Sequence, residues 1–161
     1  MLREVAVALV AFAIYIVFTG SATPYDLATG AIVSAALGIS TGRLIVVDER
    51  KLLQPQRYAL ALYFFIKYMT LIEFKSHVDV VKRIFNMRLR PGIVKVPLSV
   101  SSGYSRLMVA LAITNTPGTV VVDEDDEGFY VNWIYVESAD PAKAREFISA
   151  EFEKYARKIF E

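Results

Sequence analysis

Residues 5–25 contain no charged side chain, and this uncharged stretch constrains the fold more than any other feature of the sequence. A helix of about 20 apolar residues is long enough to cross the hydrocarbon core of a bilayer, so the stretch predicts a transmembrane helix. The alternative is a secretory signal peptide, with Arg3 as its charged start and the small residues 20–22 near a cleavage site. A second hydrophobic segment follows immediately, which favours a membrane span.

The second hydrophobic segment, TPYDLATGAIVSAALGISTGR, predicts another transmembrane helix. Pro24 and Asp26 are typical of a helix N-terminus, where proline fits the first turn and aspartate can cap. Leu27 to Gly42 is uncharged, and the long side chain of Arg43 can extend its charge to the far interface.

Small residues recur at every fourth position of this second helix: Gly30, Ser34, Gly38 and Gly42. Positions four apart lie on one helix face, so the four residues form a ridge that lets another helix backbone approach closely in lipid. Glycine is also common in membrane helices, which is the alternative explanation. We interpret the ridge as a helix-packing interface and expect it to meet partner subunits.

A third hydrophobic stretch, residues 58–74, opens a long amphipathic helix predicted from about Gln56 to Leu89. Lys67 interrupts its apolar half. An ionisable group at membrane depth suggests a role in ion or proton movement, whereas in an interfacial helix it is a lysine that extends to water. Lys67 is therefore a candidate intramembrane charge.

Basic residues decide whether this third stretch crosses the membrane. The loop between the first two spans has no Lys or Arg, whereas the segment after the second span has four: Arg43, Arg50, Lys51 and Arg57. Residues 75–90 hold five more. Both basic segments lie on the cytoplasmic side only if residues 58–74 do not cross, so we predict two spans and an in-plane interfacial helix.

The rest of the chain predicts a small α+β domain with the order β-α-β-β-α. Pro91-Gly92 precedes a strand, residues 104–116 have the length and composition of a short helix, and two strands follow. The final helix starts with Asp140 as its cap and Pro141 in its first turn. The predicted organisation is two membrane helices (1–55), the amphipathic helix (56–90) and a cytoplasmic α+β domain (91–161).

The acidic sequence VVDEDDEGFY resembles the first half of a calcium-binding EF-hand loop. Counting from Asp123, the twelfth position, which needs a bidentate glutamate, is Ile134. An EF-hand also needs helices on both sides, and both flanks here are strands. We therefore predict a solvated β-hairpin loop at Asp123 to Gly128 and no metal site.

Composition excludes several classes of function. The chain has no cysteine and one histidine, His77, which excludes thiol catalysis, zinc fingers and multi-histidine metal sites. A net charge of +1 gives no basic surplus for nucleic acid. Nucleophile–base pairs and phosphate-binding loops are absent from the motifs, so we expect no catalytic residue, cofactor or small-molecule substrate. Only five Asn and Gln residues are present, which fits a hyperthermophile.

Four segments resemble the E-type subunit of the Mrp (Mnh) multisubunit Na⁺/H⁺ antiporters in order and spacing: TPYDLATGAIVS, LRPGIVKVPL, AITNTPGTVVVD and FYVNWIYV. The most specific are Arg90-Pro91-Gly92 before a strand and Thr116-Pro117-Gly118-Thr119 before the hairpin. The resemblance covers nearly the whole chain. The equivalent subunit of archaeal membrane-bound hydrogenases and sulfane reductases belongs to the same family.

This resemblance implies a non-catalytic accessory and assembly subunit in the cell membrane, whose partners are lipid and the other hydrophobic subunits of an antiporter-like complex. The implied parent complex is a stand-alone antiporter or the sodium-translocating module of a hydrogenase or sulfane reductase. A membrane-anchored binding or sensor domain is an alternative function. A stand-alone transporter is disfavoured, because two spans do not enclose an ion path.

Overall fold

The computed structural model describes all 161 residues, which form two compact units, Met1–Gln54 and Pro55–Glu161. In the first unit, α1 (Leu2–Thr19) and α2 (Pro24–Ile45) are the two helices long and apolar enough to cross a membrane. A single turn of helix, α3 (Glu49–Leu52), follows them. The two predicted membrane helices are confirmed.

The turn between α1 and α2 is set by its sequence. Gly20 ends α1 with a φ of 64°, a left-handed conformation that glycine adopts without strain. The N-cap of α2 is Thr23, whose hydroxyl accepts from the backbone N–H of Asp26, while the Asp26 carboxylate accepts from the backbone N–H of Thr23. Asp26 therefore completes a capping box and is not itself the N-cap.

The second unit begins with one long helix of three parts: α4 (Pro55–Lys67), a π-helical turn (Tyr68–Ile72) and α5 (Glu73–Asn86). The sequence pattern predicts a helix here, but it does not predict the π turn. The helix also ends three residues earlier than the pattern indicates, because Met87 takes a left-handed φ of 54°.

A three-stranded antiparallel sheet follows, made of β1 (Gly92–Pro97), β2 (Thr119–Glu124) and β3 (Gly128–Trp133) in the order β1-β3-β2. Helix α6 (Gly103–Asn115) connects β1 to β2. The predicted elements are confirmed, although the sequence pattern extends the last strand to Val136. Beyond Trp133 the chain instead bonds to loops, since the Ile134 N–H donates to the Gly118 carbonyl.

The predicted final helix is divided into α7 (Pro141–Ile148) and α8 (Ala150–Phe160). Asp140 caps α7 as predicted, because its carboxylate accepts from the Lys143 N–H at 3.0 Å. The break falls at Ser149, whose φ of −117° departs from the helical value. Its hydroxyl donates to the carboxylate of Glu153 at 2.6 Å.

One core joins the sheet, α6, α7, α8 and the long helix. Phe129 and Val131 of β3 are fully buried. Phe64 and Tyr68 of the long helix enter the same core, where both rings lie edge-on to Phe152 of α8 at centroid distances of 6.3 and 6.0 Å. The long helix therefore packs as part of the α+β unit, whereas the sequence pattern sets it apart as a separate region (56–90).

Candidate functional site

The glycine ridge of α2 is buried against α1 of the same chain. Gly30, Ser34, Gly38 and Gly42 are the buried residues of α2. A Cβ added at Gly38 would lie 2.8 Å from the Cβ of Ala8, and one at Gly42 would lie 2.7 Å from the Cα of Glu4. These separations are too short for any side chain larger than hydrogen, so the two backbones are in contact at Gly38 and Gly42, while Gly30 lies against the Tyr15 ring.

The expectation that the ridge meets partner subunits is therefore wrong for this face. The reason is local: α1 offers a surface narrow enough to accept the ridge, where Ala8 lies beside Gly38. Exposed apolar side chains occupy the other faces of both helices, including Val10, Ile14, Ile32 and Ile39. Any contact with lipid or with other subunits uses those faces.

Polar contacts fix the two ends of the helix pair. Near one end the hydroxyls of Tyr15 and Thr29 are 3.0 Å apart. At the other, Arg43 donates through Nε to the Glu4 carboxylate at 3.1 Å. Sequence reasoning missed the Glu4–Arg43 pair, although two opposite charges at the outer ends of adjacent apolar helices are a signal for it.

Lys67 lies on the face of the long helix that packs on α8. Its Nζ contacts the Glu151 carboxylate at 2.5 Å and donates to the Tyr155 hydroxyl at 3.2 Å. The hydrogen bond to Glu151, helped by the one to Tyr155, raises the pKa of the Lys67 ammonium above its ordinary value. Lys67 therefore forms an ion pair with a carboxylate of the same unit, and this contact gives the lysine a structural role.

The acidic segment forms a β-hairpin as predicted, but its loop is only residues 125–127, because Asp123 and Glu124 belong to β2 and Gly128 begins β3. The carboxylate with the most contacts in this loop is Asp125. The Oδ1 of Asp125 accepts from the backbone N–H groups of Glu127 and Gly128, each at 2.9 Å. Its Oδ2 is 2.9 Å from Nζ of Lys95 and accepts from the Tyr130 hydroxyl at 3.0 Å. The Lys95 ammonium, followed by these other donors, lowers the pKa of Asp125 to about 2. The carboxylate therefore organises the loop.

A buried carboxylate on α8, Glu153, was not identified from the sequence. Its side chain is 2% exposed and accepts from Arg145 through both oxygens at 3.0 Å, from Ser149, and from the Ser99 N–H at 2.7 Å. Burial raises the pKa of Glu153, but the hydrogen bonds from Arg145, Ser149 and Ser99 outweigh it and lower the pKa overall. The network ties the loop after β1 to α7 and α8.

A second buried cluster surrounds the π turn. The Tyr68 hydroxyl donates to the Ala112 carbonyl at 3.1 Å and accepts from the Asn115 amide at 3.2 Å. The same amide lies 3.4 Å from the carboxylate of Glu73, which is also buried. The π turn and the end of α6 are thereby joined through polar side chains, in a region whose sequence shows only an apolar helical pattern.

Comparison with known proteins agrees with this architecture. The sequence model of a family described as "Na+/H+ ion antiporter subunit" matches residues 8–159. A curated relative, the E-type subunit of the Na⁺/H⁺ antiporter of Alkalihalophilus pseudofirmus, is 28% identical over 100% of this chain and 98% of its own length.

Two solved structures are similar to the chain to different degrees. A chain of the membrane-bound sulfane sulfur reductase, an archaeal respiratory membrane complex, is 27% identical and covers 99% of this chain and 100% of its own, with a TM-score of 0.84. A chain of the Mrp complex from Dietzia is 23% identical over 67% of this chain and 99% of its own, and its TM-score of 0.43 is too low to support an argument.

Proposed function

Because this chain belongs to the family of Na⁺/H⁺ ion antiporter subunits, we propose that it is the accessory and assembly subunit, of the E type, in a membrane complex that exchanges Na⁺ for H⁺. The family match spans residues 8–159, so it includes both the membrane pair and the α+β unit. The partners of such a chain are the other subunits of the complex.

The observation that carries this proposal is the contact along the glycine ridge. An ion path needs a continuous polar lining, and the facing surfaces of α1 and α2 are in backbone contact at Gly38 and Gly42. The two helices therefore enclose no ion path between them, and we assign the conducting and catalytic groups to partner subunits. Three titratable groups outside this helix pair, Lys67, Asp125 and Glu153, are each engaged in structural contacts. A sensor without a transport role gains no support from the comparisons.

Two parent complexes fit the chain. One is a stand-alone antiporter, as the curated relative is named. The other is a respiratory membrane complex, as the sulfane sulfur reductase is described, one chain of which has the same fold. Partners that bind iron–sulfur clusters in the purified complex would identify the second.

The experiment that tests the proposal is removal of the chain from its complex. We expect deletion to leave the large membrane subunits synthesised but not assembled on native gels, and Na⁺-dependent proton movement in membrane vesicles to be lost. Re-expression of the intact chain restores both. An intact, fully active complex without the chain would refute the accessory role, and Na⁺/H⁺ exchange by liposomes holding this chain alone would show that it transports by itself.

We also propose that the α+β unit lies on the cytoplasmic side. The support is the Lys and Arg content of residues 43–57 and 75–90, set against a first loop with no basic residue.

A further inference from the structure

The π turn adds one residue to the long helix, and this sets which side chains are buried. Phe64 and Tyr68, four residues apart, are both buried, and the next buried residue is Glu73, five residues on. In a regular α-helix the residue at position 72 would occupy that place, since one face recurs at every third or fourth residue. The π turn, with its i→i+5 hydrogen bonds, accounts for the extra residue.

The same extra residue aligns two apolar stripes on the exposed side of the helix. Met69 and Phe74 are also five residues apart, across the π turn. Together the two stripes make a row of side chains that are each about half exposed or more, which we call the outer face: Leu62, Phe65, Met69, Phe74, Val81 and Phe85. At 1.5 Å per residue the row is about 35 Å long. An exposed apolar row of this length marks an interaction site.

The residues around the outer face indicate what covers it. Lys75 and Lys82, each next in sequence to an outer-face residue, are exposed and form no ion pair. The one acidic residue between these lysines in the sequence, Asp79, forms an ion pair with Arg83 at 2.6 Å. Tyr58 and Tyr63, at the other end of the helix, are both more than half exposed. Lysines and tyrosines bordering an apolar helix face are typical of the boundary between lipid headgroups and acyl chains.

We propose that the outer face is a lipid-binding surface that lies in the headgroup–acyl boundary of an anionic membrane leaflet, with Lys75 and Lys82 at the headgroups. The proposal goes beyond the accessory function and beyond the interfacial helix that the sequence predicts, because it names the side chains that meet the lipid and the headgroup charge that they fit. The π turn is the device that makes the face continuous, since without it the stripes on either side would be rotated by about 100°.

Fluorophore quenching tests the proposal directly, because the chain has no cysteine and a single one can be placed at will. Phe74→Cys and Phe85→Cys, labelled with an environment-sensitive dye, are examined in the assembled complex in nanodiscs. We expect several-fold stronger quenching by a headgroup-level lipid nitroxide than by aqueous iodide. Glu146→Cys, exposed on α7, serves as the aqueous control and Leu9→Cys on α1 as the membrane control.

Two other outcomes overturn the proposal. Protection from both quenchers would mean that a partner protein covers the outer face. Strong quenching by iodide alone would mean that the face is open to water. The free chain in nanodiscs, without its partners, should show the same quenching by the lipid nitroxide, because lipid binding does not need the partners. Loss of this quenching in the free chain would contradict the proposal.

Substitution of the two lysines provides a second test of the proposal. A basic residue near an anionic surface strengthens the binding of a helix to that surface. Reversal of Lys75 or of Lys82 to Glu should therefore lower the ratio of lipid-bound to unbound helix by at least about fivefold each. The loss should appear at Phe74→Cys in anionic nanodiscs and be absent in zwitterionic ones, with Lys143→Glu on α7 as the matched control. Unchanged quenching of the double reversal in anionic discs would contradict the headgroup contact.

Discussion

Asp125 organises the hairpin loop through its charge as well as its geometry. Its pKa of about 2 is below the ordinary value of 3.8, so ionised Asp125 stabilises the fold above about pH 4, and this contribution is lost as the pH falls through 2. We expect Asp125→Asn to lower the unfolding temperature at pH 7, and the difference from the parent to disappear below about pH 2. Thermal unfolding of the detergent-solubilised chain measures both.

The control for Asp125 is its neighbour. Arg106 uses the backbone carbonyl of Asp126 and not its carboxylate, so Asp126→Asn should leave the unfolding temperature unchanged at either pH. Equal effects of the two substitutions would show that general acidity of the loop, and not the Asp125 contacts, sustains the hairpin.

Glu153 carries more of the stability because it is buried. Glu153→Ala removes the acceptor for Arg145, Ser149 and Ser99 together and leaves buried donors without partners, which costs about 1–3 kcal/mol. Chemical denaturation measured by tryptophan fluorescence would report the loss, since Trp133 is the only tryptophan. Glu151→Ala, which breaks the half-exposed pair with Lys67, should shift the denaturation midpoint much less, because water screens that pair. A shift as large for Glu151→Ala would contradict the assignment.

At the scale of elements, the helix pair α1–α2 depends on the absence of side chains at two glycines. Gly38→Leu places a side chain against the Glu4 carbonyl and Ala8, which are backbone and a neighbouring Cβ and cannot rotate away. Overpacking of this kind costs about 1–3 kcal/mol, so we expect a lower unfolding temperature in detergent. Val33→Leu, at a position 57% exposed, should be tolerated. Equal tolerance of both would mean that the two helices do not touch at Gly38.

The elements also show which parts of the fold the sequence predicts. The spans were predictable because two long uncharged stretches follow one another in the sequence. The strands were predictable because Val94, Val96, Phe129 and Val131 alternate with half-buried or exposed residues. The helix that packs on the glycine ridge was not predictable, because four small residues indicate that some helix approaches closely but do not indicate which one. Ala8, a small residue at the matching depth of α1, is the only signal, and it is weak.

The π turn and the buried network around Glu153 are even harder to predict from the sequence. Each depends on contacts between segments far apart in the chain, such as Ser99 with Glu153. A sequence pattern reports local spacing only, so it predicts one uninterrupted amphipathic helix here and does not show the five-residue step from Met69 to Phe74. Only the packed α+β unit explains it.

At the scale of the whole molecule, the side of the membrane occupied by the α+β unit can be tested with single cysteines. The basic segments predict that Asp126→Cys, exposed in the hairpin loop, resists an impermeant thiol reagent in intact cells. Ala22→Cys, exposed in the turn between α1 and α2, should react rapidly from outside. Reversed labelling would invert the topology, and labelling of both sites would mean that the chain crosses the membrane a third time between them.

The closed contact between α1 and α2 has a consequence for how the complex is built. A membrane chain whose small-residue face waits for another protein is incomplete until that protein arrives, and such chains are exposed to quality control in the meantime. Here the face is already occupied within the first 45 residues, from Glu4 to Gly42. We therefore expect the helical hairpin to form before any partner subunit binds to it.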